Sequence, residues 1–116
     1  DWALLRLDRE IGESVAPLSL ERRLPPAGTP LMLGGYQQDR PELILADRAC
    51  HLLGLMRQGG ASLLVHDCAG TRGASGAPVL ARDAAGEWSV IGIAVASAKD
   101  AARGLAVPAA TLPEEP

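Results

Sequence analysis

Short apolar runs alternate with turn residues along the whole chain. Trp2 to Leu7 is apolar, and Val15 to Leu20 follows a turn containing Gly12. Pro25-Pro26-Ala27-Gly28 punctuates, and Pro30 to Leu33 runs into Gly34-Gly35. Glu42 to Leu55 is a longer strand-like segment, closed by Gly59-Gly60. Ser62 to His66 is short and apolar. Pro78 to Arg82 and Trp88 to Ala96 flank Asp83-Ala84-Ala85-Gly86, a hairpin signal. Gly104 to Val107 is the last short run before Pro108. Helical periodicity is brief: Leu18 to Leu24 fits one turn, and a start at Ala109 to Leu112 is stopped by Pro113 and Pro116. Abundant alanine favours helix. The Gly and Pro punctuation, however, leaves no long uninterrupted segment, so the pattern predicts an all-β sandwich or barrel. Glu114-Glu115-Pro116 reads as a frayed tail.

Composition narrows the function classes. A chain of 116 residues, 47% hydrophobic, is one domain at most with a modest core. There is no Phe, so Ala, Val, Leu and Ile must build that core. The net charge of −3 and the scattered arginines provide no basic stripe, which argues against nucleic acid as a partner. No apolar run approaches the ~20 residues that cross a bilayer as a helix. No signal peptide is read, the chain opening directly on a strand-like segment.

Cys50 and Cys68 each stand beside a histidine, in Cys50-His51 and His66-Asp67-Cys68. These residue types bind metals, but the spacing fits no zinc-ligand pattern, so neither metal nor cofactor is expected. A disulfide is the better reading, with two buried free thiols as the alternative. A disulfide would place the chain in the periplasm or outside the cell.

Gly73-Ala74-Ser75-Gly76-Ala77-Pro78 is the stretch richest in chemistry. A serine hydroxyl needs a base to become nucleophilic, and the reaction needs donors for the developing oxyanion. Gly73 lets the backbone turn so that its N–H and that of Ser75 converge, and Gly76 permits close approach. The α/β-hydrolase elbow is excluded because position 77 is Ala and no strand–turn–long-helix pattern surrounds the serine. The bland alternative is a Gly/Ser/Ala turn without chemistry.

With its flanking segments, the loop resembles the C-terminal half of a chymotrypsin-fold, trypsin-like serine peptidase, nearest the bacterial glutamyl-endopeptidase-like branch. Asp1-Trp2-Ala3-Leu4-Leu5-Arg6-Leu7 resembles the strand opening with the catalytic aspartate. Pro30 to Tyr36 resembles a strand ending in a glycine-rich turn, and Cys50 and Cys68 sit where that branch places a disulfide. Val90-Ile91-Gly92-Ile93 resembles the strand lining the specificity pocket, and Gly104 to Pro108 the last strand before the C-terminal helix. The resemblance implies a six-stranded antiparallel Greek-key barrel over residues 1–112, the second of two, with a truncated helix and a tail at 113–116. It implies Ser75 as nucleophile, Asp1 as orienter of the base, and the N–H groups of Gly73 and Ser75 as oxyanion hole. The base is expected to be a His on a first barrel upstream of Asp1, leaving this chain inactive alone. His51 and His66 are read as structural or solvent-exposed.

Departures from the family adjust these expectations. Ala74 replaces the aspartate that in animal members receives a freed N-terminus, so activity should not depend on one. Ala69 and Gly70 stand at the expected pocket base, with no acid to favour Arg or Lys. Ala94 stands where glutamate-specific relatives carry His. With Val95, Ala96 and Gly104 as apolar walls, a small-to-medium apolar side chain is expected before the cut. Arg72 could attract an acidic group, or be a solvated loop residue. The expected function is a secreted or periplasmic endopeptidase acting on polypeptides. The alternatives are an inactive barrel serving as a protein-binding module and an unrelated all-β interaction domain.

Overall fold

The computed structural model describes residues 2–37, 40–68, 75–98 and 103–113. Seven strands form one sheet: β1 (Ser19–Leu20), β2 (Pro30–Gln37), β3 (Arg40–Gln58), β4 (Ala61–His66), β5 (Pro78–Arg82), β6 (Trp88–Ala98) and β7 (Arg103–Pro108). Their order is β1-β6-β5-β2-β3-β4-β7, and β6 also pairs with β7. Strands β2 to β7 therefore close into a ring of six, and β5 returns beside β2 in the Greek-key order. Pairing is antiparallel except between β1 and β6.

Alternation along the strands fills the ring. Leu31 and Leu33, Cys50 and Leu52, Leu64 and His66, and Val79 and Ala81 all point inward and are buried, as are Ile91, Ala94 and Ala106. Full burial of a Leu or Val contributes about 1.5–3 kcal/mol, so Leu31, Leu52, Leu64 and Val79 carry much of the core. The expected hairpin at Asp83–Gly86 forms, with the Asp83 carboxylate accepting from the N–H groups of Ala85 and Glu87.

Three expected elements differ. Trp2 to Leu7 is not a strand, and Leu5 is 82% exposed. An apolar run becomes a strand only where a neighbour offers ladder partners, and among the described strands none does so here. Val15 to Leu20 shortens to β1, which adds a seventh strand to the expected six. The helical turn over Leu18–Leu24 is absent, because Ser19 and Leu20 pair with Ser89 and Val90 instead. At the other end only a 3-10 turn forms, Ala109–Thr111, and Leu112 before Pro113 is extended. The Arg22 guanidinium holds this turn by donating to the carbonyls of Ala109, Leu112 and Pro113.

Candidate active site

Ser75 stands in the turn that feeds β5. The turn needs Gly76, whose φ of +91° lies in the left-handed region. Three hydrogen bonds fasten this corner to β6. Gly76 N–H donates to the Ala94 carbonyl at 2.7 Å, and Ala94 N–H donates to the Ala77 carbonyl at 2.9 Å. The exposed Ser75 hydroxyl donates to the Val95 carbonyl at 3.2 Å. The serine is thus presented to solvent on a backbone that two antiparallel strands hold fixed.

The structure brings several predicted site residues together. Ala94, buried, and Val95, half-buried, lie directly beside Ser75. Gly104 is one strand further on, in register with Ser97, while Ala96 pairs with Leu105. Asp1, Ala69, Gly70, Arg72, Gly73 and Ala74 lie outside the described residues. So do the expected orienter, half of the oxyanion hole and the expected pocket base.

Cys50 and Cys68 form the disulfide, which removes both as thiolate metal ligands. It clips β3 to the segment after β4. Alongside it, His51 N–H donates to the Asp67 carboxylate at 2.5 Å, and Asp67 N–H donates to the His51 carbonyl. The His51 ring nitrogen Nδ1 is 3.8 Å from Asp67 Oδ2 at the surface.

Of the two sequence readings of His66, structural or solvent-exposed, the structure gives the first: the ring is 2% accessible, on the inner face with Leu64. Its Nδ1 accepts from Cys68 N–H at 3.1 Å, and its buried Nε2 has no partner. Burial lowers its pKa below the usual 6.5, against the smaller opposing pull of Asp67 and Asp47. A neutral ring with Nδ1 accepting carries its proton on Nε2. The ring occupies the space over Gly104, where a Cβ would lie 2.2 Å from Cε1. The period-two spacing of Leu64 and His66 was the sequence signal for this burial. The Ser75 hydroxyl donates to the Val95 carbonyl and not to a ring nitrogen of either histidine.

No family model matches the chain, and no curated protein does. Solved structures do. The active form of the Rv3671c protease from M. tuberculosis matches with a TM-score of 0.65 and 19% identity, over 79% of this chain and 43% of that one. The fold is that of a trypsin-like protease. The inactive form of Rv3671c from M. tuberculosis H37Rv, a serine-to-alanine mutant, agrees, with a TM-score of 0.63 and 17% identity over 79% and 47% of the two chains. The chain spans less than half the length of these structures. At such identity the likeness reaches the fold and does not extend to the glutamyl-endopeptidase-like branch.

Proposed function

We propose that the chain is the nucleophile-bearing half of a serine endopeptidase. The observation that carries this reading is Ser75 itself: an exposed hydroxyl on a left-handed glycine turn, braced by β6, in a protease fold. In this reading Ser75 attacks the scissile carbonyl and forms an acyl-enzyme, which water then hydrolyses. The N–H groups of Gly73 and Ser75 hold the oxyanion, each donor contributing about 3 kcal/mol. Asp1 orients a histidine supplied by a barrel upstream, and that histidine takes the Ser75 proton.

The ring of six strands acts as the second of two barrels. The exposed Trp2, Leu4, Leu5 and Leu7 are the surface on which the first would pack. A polypeptide would bind between the two, with Ala94 and Val95 beside its cut residue. The disulfide is consistent with a secreted or periplasmic site of action. The test uses protein containing the upstream region and a mixture of unfolded polypeptides. Proteolysis should occur and should fall by at least about a thousandfold in Ser75→Ala. Equal proteolysis by both proteins, or none by either, would leave the barrel as a binding module.

A further inference from the structure

His66 has a burial that the mechanism above does not use. Its Nε2 is the one buried side-chain nitrogen or oxygen among the described residues that lacks a hydrogen-bond partner. Buried polar groups are nearly always paired, so the unpaired Nε2–H needs an explanation. The ring is also held rigidly. Cys68 N–H fixes Nδ1 as acceptor, and the disulfide anchors Cys68 in turn. Gly104, which has no side chain, leaves the ring its space.

The register sets this ring two strands from the one that anchors the nucleophile. His66 pairs with Gly104 on β7, and Gly104 pairs with Ser97 on β6, two residues beyond the Val95 carbonyl that Ser75 holds. Two strand spacings, about 10 Å, separate β4 from β6. The small residues Ala94, Gly104 and Ala106 line the inner face between them.

We propose that His66 forms the end of the substrate side-chain pocket beside Ser75, donating its Nε2–H to a substrate residue that ends in an uncharged carbonyl, glutamine or asparagine. The proposal rests on the peptidase reading and replaces the expected purely apolar preference with a polar-tipped one. A carboxylate fits less well. A neutral imidazole does not offset the cost of burying a charge, and Asp67 and Asp47 already place negative charge near the ring. An aliphatic side chain would leave the donor unpaired, as it is now.

The test measures kcat/KM for peptides differing only in the residue before the cut: Gln, Asn, Glu, Leu and Ala. It uses the protein with its upstream region. Gln or Asn should exceed Leu and Glu by about tenfold or more. His66→Leu should reverse the preference toward Leu, and His66→Gln, which keeps a donor, should restore part of it. Disulfide content and circular dichroism establish that each variant folds. Hydrolysis without an amide preference, or a preference that His66→Leu leaves intact, overturns the inference and spares the peptidase reading. If no peptide is cut and wild-type Ser75 takes up no fluorophosphonate, the peptidase reading itself falls.

Discussion

Gly104→Ala tests the packing on which much of the site depends. The added Cβ would meet His66 at 2.2 Å from Cε1, 2.6 Å from Nε2 and 3.0 Å from Nδ1, where ordinary contact begins at 3.4 Å. The ring must therefore retreat by about 1 Å, beyond what a close-packed interior absorbs freely. Overpacking of this kind costs about 1–3 kcal/mol. If the ring swings away, Cys68 N–H loses its acceptor, adding about 1–3 kcal/mol for an unpaired buried group. The expected loss is therefore about 2–6 kcal/mol, a large share of the roughly 5–15 kcal/mol typical of a domain. Urea unfolding followed by tryptophan fluorescence measures it. The same substitution in a His66→Ala background should cost under about 1 kcal/mol, because the two changes share one contact. A loss below about 0.5 kcal/mol in the wild-type background, or strict additivity with His66→Ala, would refute the packing argument.

Three further outcomes follow from other contacts. Because burial lowers the His66 pKa, the unfolded chain binds the proton more readily below the usual 6.5. Stability should therefore fall as pH drops from about 6.5 toward the lowered folded value, and urea midpoints for His66→Gln should lack that component. Reducing the disulfide, which links residues 18 apart in sequence, should cost about 3 kcal/mol on the loop-entropy account; thermal melts with and without reductant measure it, and an unchanged melt would contradict it. Arg22→Ala leaves three carbonyls of the C-terminal turn without their donor and should destabilise by about 1–3 kcal/mol. Faster amide exchange at Leu112, whose N–H bonds to Ala109 O, should accompany that loss.

The strands from β2 onward were legible because Gly and Pro mark their ends and their inward positions alternate. Turn chemistry located the hairpin at Asp83–Gly86, where one carboxylate caps two backbone N–H groups. The meeting of Ser75 with Ala94 and Val95 comes from the hydrogen bonds between the serine turn and β6, which no local motif encodes. The N-terminal run failed because alternation records a wish for burial and not the partner that provides it; Trp2 to Leu7 has the composition of a strand without ladder partners among the described residues. For His66 the sequence left two readings open, structural or solvent-exposed, without choosing between them. Histidine is usually wet, and its burial depends on a glycine 38 positions later in the chain, a pairing that only the β4–β7 register reveals. Arg22 was equally opaque, because its acceptors are backbone carbonyls about 90 residues away.

The central claim is that Ser75 is a nucleophile. Protein carrying the upstream region, treated with a fluorophosphonate and digested for mass spectrometry, should show one stoichiometric adduct on the peptide containing Ser75. Denaturing the protein first should abolish it. An adduct elsewhere, or none on Ser75 in folded protein that binds polypeptide, would contradict the account.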